Sequence, residues 1–243
     1  MNPIARALAI SRKDVESYYA KPPLVSWGLL FPAVLTLAVY VRDRSSHLAL
    51  APGAISMALL FGATSMAVVA ITFEKRSGTF ERLLLAPLAA RTIVVGKAAG
   101  AAAYGLATSG TLALGLVAFA GMPLRRPDVF ATGLLLGAWT FALLGILASV
   151  LVKEVFEAMA LMNFLRFPLL FVSGVFVPLS EMPAWIRPVA YLSPLTHVVE
   201  LLRFGTAGEG HFSTPWVPLG AAAFFLAAST HLAVRALGRF ATR

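Results

Sequence analysis

The segment EKRSGTFERLLLAPLAARTIVVGK, residues 74–97, separates two long apolar runs and determines how the chain is organised. It carries five of the twenty basic residues, and Lys and Arg concentrate on the cytoplasmic side of membrane proteins. Glu81 and Arg82 lie away from an apolar face whose residues recur at helical spacing. That face comprises Phe80, Leu83, Leu84 and Pro87. The pattern predicts a short amphipathic helix on the cytoplasmic side, suited to contact a soluble partner.

The composition places the whole chain in a membrane. Hydrophobic residues make up 59% of the 243 residues and charged residues 13%, with a mean hydropathy of +0.82. Soluble domains are about 45–50% apolar and about 25% charged. The net charge of +9 is spread over short loops and termini, so membrane topology rather than nucleic-acid binding accounts for it. The sequence predicts an all-α polytopic membrane protein, without cysteine for disulfides or metal.

Six apolar stretches reach the length of about 20 residues that a bilayer-spanning helix needs. They are residues 22–41, 52–73, 98–120, 129–152, 156–177 and 215–235. Residues 1–21 precede them as a helix lying in the membrane interface, with Tyr18 and Tyr19 at the depth of an aromatic belt. A disordered basic tail is the alternative for this segment. No cleavable signal peptide is expected, because the first apolar run starts only near Pro22.

The distribution of Lys and Arg predicts the orientation. With the N-terminus inside, the inner segments hold thirteen basic residues and the outer segments six. Both termini are therefore expected in the cytoplasm, on the inner side of the cytoplasmic membrane.

Residues 178–214 form a long outer segment that is too apolar for a free loop and too interrupted for a span. Pro178, Pro183 and Pro188 punctuate it, and the run from Pro194 to Gly205 reads as one short helix with Pro in its first turn. We expect short re-entrant or interfacial helices between spans five and six. Non-helical backbone at membrane depth needs a covering of protein or water, which indicates a translocation path nearby.

Two motifs resemble the permease subunits of type-2 ABC transporters, which include drug, lipo-oligosaccharide and polysaccharide exporters. In the cytoplasmic segment the matching positions are Glu74, Gly78, Thr79, Glu81, Leu83, Leu84, Pro87, Arg91 and Lys97. In residues 167–203 they are Pro168, Ser173, Gly174, Pro178, Pro183, Trp185, Pro194, Leu195, Thr196 and Arg203. Arg76, Ser193 and His197 depart from residues that are common in that family.

The resemblance implies a non-catalytic subunit that pairs with a second permease, as a homodimer, and with two copies of a separate ATP-binding subunit. The chain has no GxxxxGK[ST] phosphate-binding loop, so ATP and magnesium would be bound by the partner and no cofactor by this chain. The resemblance also implies that the helix around Thr79–Leu85 docks on the ATP-binding subunit. The residues assigned to this coupling are Glu74, Gly78, Thr79, Glu81, Arg82, Leu84, Pro87 and Arg91.

Arg166 is a basic residue deep inside the fifth predicted span, where a charge costs about 2.5–3.5 kcal/mol on insertion scales. One interpretation is a group that lines the translocation path; the other is a structural pair or snorkelling to the interface. Glu157 is expected to pair with Lys153 at i,i+4 rather than with Arg166. The candidate residues of the path are Arg166, Ser173, Gly174 and His197.

Catalytic and metal chemistry find little support in the sequence. The histidines are scattered over separate segments, so no metal site is predicted. His197 and Glu200 lie three residues apart on one helix, which predicts a local hydrogen bond rather than a catalytic pair. Ser173 lacks a glycine two residues before it and any second group for an oxyanion site, which disfavours intramembrane hydrolysis.

The sequence thus predicts an exporter permease that moves an amphipathic or lipid-linked substrate such as a drug, lipid or glycoconjugate. The alternative is an ATP-independent secondary transporter. The near absence of carboxylates within the spans disfavours it, because ion coupling needs such groups.

Overall fold

The computed structural model describes residues 3–19, 26, 30–42, 47–152 and 154–241. Helices follow one another as α1 (Pro3–Tyr18), α2 (Phe31–Arg42), α3 (His47–Arg76), α4 (Thr79–Leu85), α5 (Ala90–Ala120), α6 (Pro127–Leu151) and α7 (Val155–Val172). After a 3₁₀ turn at Leu179–Glu181 come α8 (Arg187–Tyr191), α9 (Pro194–Ala207) and α10 (Trp216–Ala241). The described residues contain no β-strand, and the all-α prediction is confirmed.

Helix α3 is the centre of the bundle. It is packed against α2, α5, α6, α7 and α9, and an 18-residue stretch of it is wholly buried. Its side chains are mostly small or aliphatic, so neighbouring helices approach it on all sides. A helix that is apolar all round is buried, and α3 follows this rule. Helix α10 lies further out and packs on α5, α6 and α9.

Four helices in the described part of the chain are long and apolar enough to cross a membrane, namely α3, α5, α6 and α10. Together with the composition they establish a multi-pass membrane protein. Helix α7, at 18 residues, covers most of the fifth predicted span, and the 12-residue α2 covers the second half of the first. Most of residues 20–29 lies outside the described residues, so six spans remain a prediction.

The charged segment between the second and third spans is shorter than predicted. Helix α3 continues through Glu74 to Arg76 and α5 already begins at Ala90, which leaves residues 77–89 between them. The sequence interpretation treated Glu74 and Lys97 as charges that end the apolar runs. In the structure these two charges meet each other, so both are accommodated within helices.

The outer segment 178–214 contains short helices, as predicted, but α9 does not stop at Gly205. It continues to Ala207 and ends at Gly208, whose φ of 81° is the left-handed conformation typical of a helix C-terminus. Gly205 instead allows close packing, since a Cβ there would lie 2.8 Å from the Cα of Phe130 on α6. The glycine is required for contact between two helices rather than for termination.

Candidate coupling surface and buried polar clusters

The loop between α3 and α5 contains the predicted amphipathic helix as α4. Gly78 precedes it with a φ of 68°, a conformation that permits the sharp change of direction after α3. The Thr79 hydroxyl donates to the Glu74 carbonyl at 3.3 Å and does not cap α4. The helix ends at Leu85, two residues before Pro87.

The inner face of α4 is held by contacts with two other helices. Phe80 is fully buried, and its ring lies 6.0 Å from that of Phe240 on α10. Lys75 lies just before α4, at the end of α3, and its Nζ is 4.6 Å from the centre of the Phe240 ring. The same Nζ donates to two carbonyls at the end of α6, those of Ser149, at 2.6 Å, and Val152, at 2.9 Å. A lysine that binds the last carbonyls of a helix stabilises its C-terminus. The root of α4 is thereby fixed to the ends of α6 and α10.

The outer face of α4 is a mixed polar and apolar surface. Glu81 and Arg82 are exposed, as the sequence predicted. Leu85 has 86% of its surface exposed and was not among the predicted coupling residues. An exposed leucine flanked by charges is typical of a binding surface. In the sequence, Leu85 follows Leu84 directly but does not belong to the apolar face formed by Phe80, Leu83, Leu84 and Pro87, and this position could have predicted its exposure.

The other predicted coupling residues occupy different places. Pro87 and Arg91 are exposed, whereas Leu84, on α4, is half-buried. The guanidinium of Arg6 on α1 donates to the Pro87 carbonyl at 3.2 Å, so α1 lies beside this loop. Glu74 has only 1% of its surface exposed, so it cannot contact a partner directly.

Glu74 belongs to a cluster of four alternating charges, which we call the ion cluster: Lys13, Asp14, Glu74 and Lys97. Lys97 Nζ lies 2.8 Å from Asp14 Oδ1 and 2.5 Å from Glu74 Oε2, and Lys13 binds the other oxygen of Glu74. Three of the four residues are buried, and buried charges persist only when paired. The cluster joins α1, α3 and α5 at the base of the loop between α3 and α5, residues 77–89, which we call the coupling loop.

Helix α1 therefore has one face packed on the protein and another face exposed. Its buried side holds Ala7 and Asp14 and packs on α5, where the Tyr19 hydroxyl donates to the Gly100 carbonyl at 3.0 Å. Ile4 and Leu8 are exposed, 68% and 62% respectively, beside exposed Arg12. Burial raises the pKa of Asp14 to about 6, and Lys97 only partly offsets this effect.

Arg166 is completely buried and is bound by uncharged acceptors. Its Nε and one terminal nitrogen donate to the Thr64 hydroxyl at 2.9 and 2.5 Å, and that nitrogen also reaches the Ser65 hydroxyl at 2.9 Å. The other terminal nitrogen donates to Asn163 Oδ1 at 3.2 Å, and the guanidinium lies 4.7 Å from the Phe61 ring centre. Within the described residues no carboxylate is within 4.0 Å of it. The structural interpretation of Arg166 fits these contacts within one chain.

Ser173 and Gly174, at the end of α7, are held by the outer segment. The hydroxyls of Ser173 and Ser193 lie 2.6 Å apart, and Arg203 on α9 donates to the Gly174 carbonyl at 3.1 Å. Among the described residues, no hydrogen bond joins Arg166 or His197 to this pair. The four predicted path residues are thus distributed over three separate environments.

The predicted hydrogen bond between His197 and Glu200 is wrong. His197 Nε2 instead lies 3.0 Å from the Tyr191 carbonyl. Glu200 Oε2 accepts the backbone N–H of His211 at 2.6 Å, and its other oxygen lies 3.5 Å from Arg203 Nε. The loop after α9 returns and supplies a closer donor than the histidine, which local spacing could not show. Lys153, the predicted partner of Glu157, lies outside the described residues.

Comparison with known proteins places this arrangement in a family. Residues 6–206 match the family model described as ABC-2 type transporter, and they include the coupling loop, the ion cluster, Arg166 and most of α9. The chain belongs to the ABC-2 type transporter family. The prediction from the two sequence motifs is confirmed.

Individual relatives of this ABC-2 type chain are transport permeases. It is 26% identical over 157 residues to "Inner membrane transport permease YadH" of Escherichia coli (strain K12), covering 65% of this chain and 61% of YadH. It is 27% identical over 191 residues to "Putative transport permease ycf38" of Cyanophora paradoxa, covering 73% and 63%. "Probable multidrug ABC transporter permease YbhR" of Escherichia coli (strain K12) is 25% identical over 153 residues, covering 63% and 42%. The chain thus spans less than two thirds of the length of these relatives.

Proposed function

We propose that this chain is the membrane subunit of an ATP-driven exporter in the cytoplasmic membrane, with both termini in the cytoplasm. A separate ATP-binding subunit, present in two copies, binds ATP and magnesium and supplies the energy. Two copies of this chain form the permease. The substrate is amphipathic or lipid-linked, in the class of drugs, lipids or glycoconjugates.

The observation that carries this proposal is the architecture of the coupling loop. Phe80 on its inner face packs on α10, and Lys75 at the adjoining end of α3 binds the end of α6, whereas Glu81, Arg82 and Leu85 are exposed on the outer face. Movement of α4 would be transmitted to α10 through Phe80 and to the end of α6 through Lys75. The ion cluster connects the same loop to α1, α3 and α5. A loop attached to several helices in this way suits a permease whose conformation is changed by a soluble partner.

Motion of the coupling loop would tilt the helices of the bundle and open a path between α2, α3 and α7 of the two permeases. Ser173 and Gly174 lie at the outer end of α7, where hydrogen bonds hold them to the segment that would border the exit. In this account Arg166 fixes α7 to α3, so that these two helices move as one unit. Glu74 contributes to coupling through the ion cluster rather than by contact with the partner.

A secondary transporter is the competing function, and one experiment separates the two. The chain, purified together with the ATP-binding subunit that binds it, is reconstituted into vesicles with a fluorescent amphipathic substrate. ATP hydrolysis is expected to drive substrate movement in the absence of any ion gradient. Movement that follows an imposed proton or sodium gradient and ignores ATP would contradict the proposal.

A further inference from the structure

A continuous apolar groove runs along α5 in the half of the bilayer opposite to the coupling loop. A cavity of about 290 Å³ lies between α2, α3, α5 and the turn after α7, and its described lining is entirely hydrocarbon side chains, methionine and glycine. A second cavity of about 220 Å³ adjoins it and shares Ala33, Leu112, Gly115 and Leu116. The two form one groove, which we call the α5 groove.

The two hydroxyls in the α5 groove bind backbone carbonyls, mainly those of α5, and Thr108 Oγ1 also lies 3.4 Å from the Ala58 carbonyl on α3. Thr108 Oγ1 donates to the Gly105 carbonyl at 3.0 Å, and Thr111 Oγ1 donates to the Ala107 carbonyl at 2.8 Å. Hydroxyls bonded to the preceding helical turn leave methyl groups for the groove surface. A polar or charged ligand would therefore find no free partner among the described residues of this lining.

The length of the α5 groove matches one leaflet of a bilayer. It extends from Thr108 to Ala120, twelve residue steps along α5, or about 18 Å at 1.5 Å per residue. Half of a hydrocarbon core of about 30 Å is about 15 Å. A packed transmembrane helix measures about 10–12 Å across with its side chains, which is too wide for cavities of this size. The dimensions fit one extended hydrocarbon chain.

We propose that the α5 groove holds one acyl chain of a bilayer phospholipid from the leaflet opposite to the coupling loop. The groove opens where Leu37 and Phe119 are exposed, 60% and 91%, among residues at bilayer depth. A chain already in hydrocarbon gains little from the hydrophobic effect, so close packing against the lining stabilises the site. The bound chain then fills the space between α2 and α5 and links these helices.

Gly115 provides a direct way to fill the groove without disturbing the fold. A Cβ built at Gly115 meets no atom within 4 Å, so a larger side chain enters open space. Gly110 on the same helix is equally open but does not line either cavity. Phenylalanine at these two positions therefore gives a test variant and a control of matched bulk. Ala54→Phe fills the groove from α3 and serves as a second test variant.

The experiment places the full chain in phosphatidylcholine nanodiscs containing phosphatidylcholine with a diazirine midway along one acyl chain. After illumination, labelled peptides are quantified by mass spectrometry. Labelling is expected to concentrate at least several-fold on residues 108–120 and 33–37, to fall at least five-fold in Gly115→Phe and Ala54→Phe, and to persist in Gly110→Phe. Equal labelling of all lipid-facing helices, or unchanged labelling in both filled variants, would overturn the proposal.

Discussion

Lys97 Nζ donates a hydrogen bond to Asp14 Oδ1 at 2.8 Å and so connects two residues that are 83 positions apart in the sequence. Lys97 also contacts Glu74, so this lysine is the centre of the ion cluster. Its position fixes α1 to the helices that enter and leave the coupling loop.

Removal of Lys97 is expected to destabilise the protein strongly. Lys97→Met leaves the buried carboxylates of Asp14 and Glu74 without their shared cation, and breaking a buried pair typically costs about 3–5 kcal/mol. The double variant Asp14→Asn/Lys97→Met should recover part of this loss, because it removes one of the orphaned charges. Denaturant unfolding in detergent measures both. Equal stability of Lys97→Met and the unaltered chain would contradict the structural role of the cluster.

Asp14 should make stability depend on pH between about 4 and 6. Its folded pKa of about 6 lies above the value of about 3.9 for an unfolded chain, so the folded state binds the proton more tightly. The contribution of Asp14 to stability therefore falls as pH rises from about 4 to about 6 and is constant above that range. The difference in unfolding free energy between the unaltered chain and Asp14→Asn, measured across this range, should show the slope. A flat difference would show that Asp14 titrates normally.

The exposed face of α4 should be needed for activation of the ATP-binding subunit. Leu85→Asp and Glu81→Arg alter exposed side chains, so both should insert and fold while weakening partner binding and ATPase stimulation at least ten-fold. Glu16→Arg is the matched control, since it makes the same charge change at an exposed site on α1. Affinity measured on purified subunits and ATPase rate are the readouts. Normal stimulation by Leu85→Asp would exclude this face as the coupling surface.

Arg166 should act through stability. Arg166→Ala removes the donors to Thr64, Ser65 and Asn163 and leaves a space beside Phe61, with an expected loss of about 2–5 kcal/mol. Arg166→Lys should recover little of it, because a single ammonium cannot reproduce the guanidinium geometry. Thermal unfolding gives the stability, and transport of several substrates gives the profile. Full stability with an altered substrate profile would instead assign Arg166 to the path.

Gly205 should tolerate no side chain. A Cβ there lies 2.5 Å from the Cβ of Phe130, so Gly205→Ala must push α9 away from α6, with an expected loss of about 1–3 kcal/mol. Gly220→Ala on α10 is the control, because a Cβ there meets no atom within 4 Å. Thermal unfolding of both variants compares the two sites. Similar unfolding temperatures would show that α9 and α6 pack less closely than described.

The sequence predicted features that depend on local periodicity. The amphipathic spacing around Phe80 predicted α4 and the exposure of Glu81 and Arg82. Apolar runs predicted the long helices, although their ends were placed too early beside Glu74. Local patterns suffice in these cases because a single helix face or turn decides the outcome.

Features that depend on contacts between residues far apart in the chain could not be predicted from the sequence. The partners of Lys97 and Arg166 lie 83 and 102 positions away, so neither pair follows from spacing. From the sequence, Gly205 is interpreted as the end of a helix, and only its contact with Phe130 shows that it serves close packing. Leu85 is exposed because Phe80 occupies the inner face of α4 and leaves Leu85 on the outer side. Tertiary packing determines each of these.

The central claim is that a separate ATP-binding subunit drives this permease through α4. Affinity purification of the chain from native membranes in mild detergent, followed by mass spectrometry with quantification, tests it most directly. The account predicts a protein with a phosphate-binding loop in a one-to-one ratio with the permease, lost in the Leu85→Asp variant and retained in Glu16→Arg. Recovery of the intact chain without any ATPase, under conditions that preserve other ABC complexes from the same membranes, would contradict the account.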